Sequence, residues 1–425
     1  MSYREVFLYS LSYECGMIDG MGATVDILLQ GARVLGLAAP VWVPLILLGF
    51  AWRLWVDFVQ LRTINGKHFV LLEITLPKEV HVSPLAFELL LNVLHDRGTS
   101  ITWYTKWVEG KVIPWWSLEI VSLGGAVHFY VWVEREMRHL FESQFYAQFP
   151  DIEIEEAPDY TQQIEYDEEQ HSMWGNEWEF IRPDIYPIKT YIDYELDKGL
   201  KEEEKVDPIT ALLEFMGSMQ PGEQLWTQFV VRMHYDKQAR KRGTLFGRTD
   251  PWVDETDAEV KKIQKEAATL DEDEEGTPRV TLTPGQRETI AALERSISKL
   301  PYDVGIRTIY IAEQDKFRKA NVAGLVGAMR QYSTYDLNGF KPHYSTEFTH
   351  PWEDFRDVRT AHRKRVLFDA YRRRSFFYPP YRHRYLVLNT EELATVYHFP
   401  GTVATTPTLK RGESRKAVPP TDLPI

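Results

Sequence analysis

The sequence WWSLEIVSLGGAVHFYVWV occupies residues 115–133 of the chain. Its two halves are rich in β-branched and aromatic residues, and they flank the pair Gly124-Gly125. Glycine adopts the positive φ angles that tight hairpin turns require. The stretch therefore predicts a β-hairpin made of Trp115–Leu123 and Val127–Val133.

The segments on either side of this hairpin predict a compact unit at residues 67–157. Upstream, Phe69–Leu76 is a β-rich run, and Ser83-Pro84 is a helix N-cap followed by proline at the first helical position. Downstream, apolar residues recur at helical spacing, and Asp151–Glu155 has the alternation of a strand. The order strand-helix-strand-strand-helix-strand predicts a ferredoxin-like sandwich.

A second series of similar elements predicts a second unit at residues 178–400. Tyr186–Tyr194 is a strand candidate, and Asp207-Pro208 repeats the combination of cap and proline. Further candidates are a strand at Gln224–Tyr235, a helix capped by Thr283, a strand at Val304–Ala312, a helix at Asp315–Gln331 and a strand at Tyr385–Leu388. The highly charged stretch 237–285 is expected to be a solvated insertion. The sequence thus predicts an α+β protein with two ferredoxin-like sandwiches in tandem.

One long apolar run precedes both units. Val34–Trp52 is nineteen residues without charge, and as a helix it would be about 28 Å long, close to the thickness of a bilayer core. We predict a transmembrane helix at 34–56, after a short non-cytoplasmic segment at 1–33. A buried core helix is the alternative. Lys and Arg are more frequent on the C-terminal side of the run, which predicts a single-pass protein of the inner or plasma membrane with a cytoplasmic C-terminal region.

Composition and motifs exclude several classes of function. The 62 acidic and 49 basic residues give a net charge of −13, whereas proteins whose main surface binds nucleic acid are usually basic. The single cysteine, Cys15, excludes an intramolecular disulfide and a cysteine-based zinc site. The sequence contains no GxxxxGK[ST], GxSxG or HExxH motif. We therefore predict a protein that is not an enzyme, without a cofactor or a metal site.

A basic segment lies between Arg356 and Arg384, with ten Lys or Arg residues and interleaved aromatic residues. Its candidate basic patch consists of Arg363, Lys364, Arg365, Arg372, Arg373 and Arg374. Basic groups beside aromatic rings are suited to single-stranded nucleic acid. Two alternatives stay open: contact with lipid or a partner, or a helix at Val358–Arg374 that packs on the sheet while its arginines remain solvated or pair with acidic loops.

The last residues, 401–425, are rich in Pro, Thr and charge and are predicted to form an extended tail or linker. Such a tail could dock along a partner protein through its apolar and proline residues. The candidate docking residues are Leu409, Val418, Pro419, Pro420, Leu423 and Pro424.

The combination of Phe69–Pro77, Trp116–Trp132, Phe141–Glu155, Pro208–Arg232 and Leu388–Pro424 resembles the membrane-anchored N-terminal region of bacterial conjugation, or type IV secretion, ATPases. In similar proteins the last segment leads into a RecA-like motor domain with a nucleotide loop, which these residues lack. The resemblance implies a non-catalytic, membrane-anchored scaffold that docks a motor ATPase, supplied by another chain, at the cytoplasmic face. Membrane lipid and a second copy of the chain are further expected partners. The alternative function is a membrane-tethered nucleic-acid-binding module.

Overall fold

The computed structural model describes residues 3–77, 83–95, 102–198, 206–234, 239–240, 248–249, 251–270, 282–348, 350, 352–401 and 411–412. The helices are α1 (Tyr3–Asn65), α2 (Pro84–Leu94), α3 (Trp103–Trp107), α4 (Arg138–Gln148), α5 (Pro208–Gly217), α6 (Pro251–Leu270), α7 (Pro284–Ile297), α8 (Lys319–Met329), α9 (Val358–Arg372) and α10 (Thr390–Val396). The strands are β1 (Phe69–Pro77), β2 (Trp115–Leu123), β3 (Ala126–Glu134), β4 (Glu153–Ala157), β5 (His171–Phe180), β6 (Glu223–Met233), β7 (Ala239–Arg240), β8 (Arg248–Thr249), β9 (Pro301–Glu313), β10 (Phe340–His343), β11 (Leu386–Asn389) and β12 (Arg411–Gly412).

The predicted hairpin is confirmed at the middle of one large mixed α/β fold. β2 and β3 pair antiparallel from Ser117 opposite Trp132 to Leu123 opposite Ala126. Gly124 and Gly125 form the turn with φ angles of 61° and 95°, a conformation that other residues rarely adopt.

The large sheet has the order β10-β5-β9-β6-β2-β3-β1. β4 and β12 pair with the outer side of β1, and β11 pairs with the start of β9. Every pairing within this sheet is antiparallel except that of β12 with β1. β7 and β8 form a separate small ladder.

The two halves of the sheet repeat one pattern. In the first half β4 pairs with β1, β1 with β3, and β3 with β2. In the second half β10 pairs with β5, β5 with β9, and β9 with β6. β2 and β6 join the halves along the whole of β2, from Trp115 opposite Arg232 to Leu123 opposite Gln224. The two predicted units therefore share one continuous sheet.

The main hydrophobic core lies on one face of the sheet and extends through both halves. Helices α2, α4, α5, α8 and α10 contribute to it, with Phe87, Phe141, Leu213, Leu325 and Leu393 as buried examples. A smaller core lies on the opposite face, where α9 packs through its buried apolar residues. The protein is thus a sheet covered on both faces, with the larger helical layer on one of them.

The strand predicted at Tyr186–Tyr194 is wrong, because this segment forms turns. Its backbone amides find partners other than a neighbouring strand: Ile188 N–H donates to Glu392, and Tyr191 N–H donates to Thr395. The first strand of the second half is β5, which begins at His171, before the predicted boundary at residue 178. The polar residues of β5 are typical of an exposed segment, so the sequence does not indicate a core strand here. In the fold these residues are buried.

The charged stretch 237–285 is not wholly solvated in its described part. It contains α6, whose Trp252 is buried beside Ile185 and Val387. The indole N–H of Trp252 donates to the carbonyl of Asp184 at 3.3 Å. The insertion therefore contributes packing to the domain, in contrast to the sequence-based expectation.

α1 is a single 63-residue helix, Tyr3–Asn65, which includes the predicted span at 34–56 and continues on both sides of it. The part Gly36–Asn65 is long and apolar enough to cross a membrane, and its most apolar window has a mean hydropathy of 1.7 with none of it buried. Pro40 and Pro44 lie inside the helix; such prolines are tolerated in spanning helices.

The chain from Leu386 to Pro400 belongs to the domain and not to a linker. Asn389 and Glu392 form a capping box at the start of α10, and every residue of 391–400 is buried. Burial raises the pKa of Glu392 to about 8, although its carboxyl accepts hydrogen bonds from the backbone N–H groups of Ile188 and Asn389. The tail predicted at 401–425 lies outside the described residues, apart from Gly401 and Arg411–Gly412.

Replacement of Phe399 by alanine tests this assignment. The Phe399 ring is 2% exposed, with ring centroids 4.9 Å from Phe149 and 5.5 Å from Phe129. We expect Phe399→Ala to lower the free energy of unfolding by about 3–5 kcal/mol because it leaves a cavity in the core. Urea denaturation in detergent measures the change. Tyr335→Ala, at a side chain that is 92% exposed, is the control; equal effects of the two changes would contradict the placement.

Candidate functional site

A row of polar residues crosses the sheet on the face covered by α9. Its members lie directly opposite one another on successive strands from β5 to β1. We call this set the polar row: Glu177, Arg307, Gln228, Glu119, Tyr130 and Glu73. The first four are almost fully buried, and buried charge is tolerated only when it is paired and hydrogen-bonded.

Glu119 is the centre of the row, and its main partner is Arg374, which follows α9. The guanidinium Nε of Arg374 lies 3.0 Å from Glu119 Oε1, and Nη2 lies 3.1 Å from Oε2. Arg374 also pairs with Asp159 on the loop after β4. Burial alone would lower the pKa of Arg374, but the two carboxylates raise it well above its ordinary value. The side chain is therefore a permanent cation in the protein interior.

Three neutral side chains donate further hydrogen bonds to the carboxylate of Glu119. Ser117 Oγ donates at 2.7 Å, Gln228 Nε2 at 2.9 Å and the Tyr160 hydroxyl at 2.8 Å. The Tyr160 hydroxyl is also 2.9 Å from the hydroxyl of Tyr371 on α9. Both carboxylate oxygens are thus engaged by side chains from two strands, a loop and the segment after α9.

A second buried pair lies along the row at Arg307 and Glu177. Arg307 Nε donates to Glu177 at 2.8 Å, and Nη1 donates to the carbonyl of Ala370 on α9 at 3.1 Å. His383 Nδ1 lies 2.9 Å from the other oxygen of Glu177. Burial would raise the pKa of Glu177, but Arg307 and His383 hold it below its ordinary value. These contacts tie the end of α9 and the following loop to the second half of the sheet.

The structure places the six residues of the candidate basic patch in different environments. Arg374 lies in the interior, so it is not on a shared surface with the others. Among the other five, Arg365 pairs with Glu168 at 3.1 Å, and Arg373 pairs with Asp369 at 2.8 Å. The guanidinium of Arg363 lies 3.9 Å from the ring centroid of Phe348. Much of the positive charge in this segment is therefore already paired with acidic or aromatic side chains of the same fold.

Arg372 and Lys364 complete the set. The guanidinium of Arg372 lies 5.7 Å from the ring centroid of Phe368. Lys364 lines an open pocket of about 630 Å³ at the N-terminal end of α9, together with Arg356 and His362. Glu168 and Asp357 line the same pocket, so its wall carries both signs of charge.

The candidate docking residues of the tail, Leu409, Val418, Pro419, Pro420, Leu423 and Pro424, lie outside the described residues. The described part of 402–425 is Arg411–Gly412, which pairs in parallel with Leu76 and Pro77 at the end of β1. Among the described residues, no group of three or more His, Cys, Asp or Glu side chains is arranged to hold a metal ion.

A third feature is the junction between α1 and the domain, which we call the collar. Val56, Val59 and Gln60 on the last turns of α1 are buried. Arg382 Nη2 lies 2.6 Å from Asp57 Oδ1 and donates to Gln60 at 2.8 Å. The helix that can cross a membrane is therefore packed directly onto the folded domain.

Residues 67–411 match the model of a family described as a domain of unknown function, DUF8128. The chain belongs to the DUF8128 family. The matched region begins directly after α1 and extends to β12, so the DUF8128 domain comprises the sheet and the helices that cover it. A comparison with curated proteins found no match.

Sequence reasoning missed the polar row of the DUF8128 domain and the collar. A signal for the row is present, since Glu119 is the one charged residue in the strand Trp115–Leu123 and stands between Leu118 and Ile120. Arg307 likewise interrupts the apolar run of β9. A lone charge at a core position of a strand indicates a buried ion pair, but the partner cannot be identified without the fold.

Replacement of Arg374 tests the clamp at Glu119. Arg374→Ala leaves two carboxylates unpaired in the interior, and we expect a loss of about 3–5 kcal/mol of unfolding free energy at pH 7. Arg374 holds the pKa of Asp159 below its ordinary value in the native protein, so this pair contributes stability at neutral pH that is lost in acid. The deficit should therefore shrink as the pH falls from about 5 to about 3. Arg372→Ala is the matched control; a deficit that grows towards acid pH would contradict the clamp.

Single-stranded DNA binding tests the exposed part of the basic patch. We expect weak or absent binding at physiological salt, because Arg365, Arg373 and Arg363 already have partners in the fold. Fluorescence anisotropy measures it on the full-length protein in detergent. Arg363, Lys364, Arg365, Arg372 and Arg373 are changed to Ser, while Arg374 is retained because it is structural. A sub-micromolar affinity that the five changes abolish would contradict the expectation.

Proposed function

We propose that this DUF8128 protein is a non-catalytic membrane-anchored scaffold that docks a translocation ATPase of the conjugation or type IV secretion class at the cytoplasmic face of the membrane. The observation that carries the proposal is the collar. Val56 and Val59 are buried against the domain, and Asp57 is paired with Arg382. A domain held in this way has a fixed position relative to its anchor, as a docking platform requires.

The polar row supports a scaffold over an enzyme. The buried charges of Glu119, Arg374, Glu177 and Arg307 are paired with one another inside the fold. Groups neutralised in this manner stabilise an arrangement of elements rather than attack or protonate a substrate. We therefore assign the row to holding α9 on the sheet, and we assign no catalytic role to it.

We further propose that the fold consists of two ferredoxin-like sandwiches joined edge to edge. The repeated pairing pattern of β4-β1-β3-β2 and β10-β5-β9-β6 supports this. In this arrangement the second sandwich begins with β5 and not with Tyr186–Tyr194. The excess of Lys and Arg on the C-terminal side of the apolar run supports a cytoplasmic domain.

The partner-binding segment in this proposal is the chain after Gly401. The domain core ends at Phe399 and Pro400, which are buried. An extended segment can dock on a partner surface, and confinement of both proteins to one membrane raises their effective concentration. The motor ATPase would be supplied by another chain.

The second candidate function is a membrane-tethered nucleic-acid-binding module. Trp352 and Phe355, 79% and 80% exposed, stand beside Arg356 on the loop that leads into α9. Exposed rings next to basic groups favour stacking on unpaired bases. The fluorescence anisotropy of single-stranded DNA with the full-length protein decides between this function and the scaffold.

Truncation after Gly401 tests the scaffold. We expect the shortened protein to insert into the membrane and to unfold at an unchanged urea concentration, because it retains the buried Phe399. It should recover several-fold less of an ATP-hydrolysing motor protein on co-purification from crosslinked membranes. The purified chain itself should not hydrolyse ATP above background.

A chain that ends at Gly412 is the matched control, since it keeps β12 on the edge of β1. Both truncations should lose the ATPase if residues 413–425 make the contact. Equal recovery by the full chain and by both truncations would show that the tail is not the contact. Failure of the full chain to recover any motor ATPase would refute the scaffold.

A further inference from the structure

The short helix α3 carries exposed aromatic residues. It spans Trp103–Trp107, and Thr102 and Thr105 form a capping box at its start. Trp103 is 68% exposed and Tyr104 is 56% exposed. None of the residues of α3 is buried. A soluble protein surface seldom exposes a tryptophan and a tyrosine side by side unless they contact another phase or molecule.

The segment after α3 runs along α1. Gly110 packs against Val59 so closely that a Cβ at this position would overlap with the Val59 carbonyl. Its φ of +70° likewise favours glycine. Thr63 Oγ1 on α1 donates to the carbonyl of Glu109 at 2.8 Å. This end of the segment therefore lies level with residues 59–63 of α1.

The other end lies nearer to the apolar run of α1. The indole N–H of Trp55 donates to the carbonyl of Trp107 at 3.2 Å, and the ring centroids of Trp52 and Trp107 are 5.8 Å apart. From the level of Val59 to that of Trp52 the chain rises about 10 Å along the helix axis. α3 thus lies beside Trp52, the residue at which the uncharged run ends.

The level of Trp52 corresponds to the boundary of the hydrocarbon layer if α1 spans a membrane. Trp and Tyr side chains favour this interfacial layer because it accommodates both an apolar ring and a polar group. The Phe58 side chain of α1 is 57% exposed, and its ring centroid lies 6.2 Å from that of Trp55, the residue that binds α3. The exposed rings of α3 are therefore close to exposed aromatic residues of α1 at the same level.

We propose that α3 is a second membrane contact, in which Trp103 and Tyr104 insert into the interfacial layer of the lipid surface. The inference rests on the membrane anchor of the proposed function and adds a lipid-binding element about 50 residues beyond it. The collar fixes the domain relative to α1, but a single spanning helix can itself tilt in the bilayer, and a second contact beside it restricts that tilt. α3 thereby fixes the orientation of the DUF8128 domain on the membrane.

The exposed rings of α3 contact lipid and not another protein, because α3 packs on the part of α1 that leaves the membrane. When α1 spans a bilayer, the headgroup layer necessarily surrounds Trp52 and Trp55 and extends to whatever packs against them. α3 packs against them through Trp107. Lys106, whose ammonium lies 5.1 Å from the ring centroid of Trp107, adds a positive charge at the level of the lipid phosphates.

Depth-dependent quenching on the full-length protein tests the proposal. Cys15 is replaced by serine, and an environment-sensitive fluorophore is attached to single cysteines introduced as Trp103→Cys, Tyr104→Cys, Leu47→Cys and Trp352→Cys. The proteins are reconstituted into vesicles of phosphatidylcholine with one fifth phosphatidylglycerol. Some of the lipids carry a doxyl quencher, either in the headgroup region or deep in the acyl chain.

Leu47 is 60% exposed within the apolar run, and Trp352 is 79% exposed on the loop before α9. The loop lies at the end of α9 remote from α1, since residues 373–381 line a pocket together with Leu61 and Ile64 at the other end; α9 itself is about 22 Å long. Position 47 therefore reports on the anchor, and position 352 is the matched exposed control.

The expected result is at least three-fold stronger quenching by the headgroup-region quencher at positions 103 and 104 than at 352, with deep quenching at 47. Weak quenching at 103 and 104, equal to that at 352, together with deep quenching at 47, would overturn the inference and leave the anchor intact. Absence of deep quenching at 47 would refute the membrane anchor and the inference together.

Discussion

The carboxylate of Glu119 lies at the middle of the sheet, on the strand that joins its two halves, and it receives Arg374 from beyond α9. The two residues are 255 positions apart in the chain. Desolvation makes each charge costly in isolation, so neither can be buried without the other. Their pairing therefore requires β2, β6, the loop at Asp159 and the end of α9 to be in place at once. This pairing acts together with the buried apolar residues of α9 to hold the helix on the second face of the sheet.

The same arrangement explains why the halves of the domain form one body. β2 pairs with β6, and the main core lies on one face of both halves. On the other face, the polar row crosses the boundary between β2 and β6. Arg307 and Glu177 hold the far side of α9 in the way that Glu119 holds its near side. The collar then extends this body to α1, since Arg382, only eight positions after Arg374, binds Asp57. The sheet, the helix α9 that packs on it and the helix α1 are thus all linked through the basic segment between Arg356 and Arg384.

Local signals in the sequence predicted much of this architecture. The Gly124-Gly125 turn, the Ser83 and Asp207 caps and the Thr283 capping box all depend on neighbours within four residues, and all are confirmed. The role of Arg374 depends on the register of strands far away in sequence. Its sequence context is that of a surface cluster, and nothing local distinguishes it from Arg372. β5 was missed for a related reason: Glu177 makes the strand look exposed, while its partner Arg307 lies in β9.

The parallel pairing of β12 with β1 sets the direction of mechanical load. β1 begins at the collar through Gly66–His68 and runs away from α1, and β12 runs in the same direction beside its far end. Tension applied to β12 along its own direction would strain the β12–β1 hydrogen bonds in shear, parallel to the strands, where they share the force. Because β1 is hydrogen-bonded to both β3 and β4, the load would spread from β1 into the sheet before it reached α1.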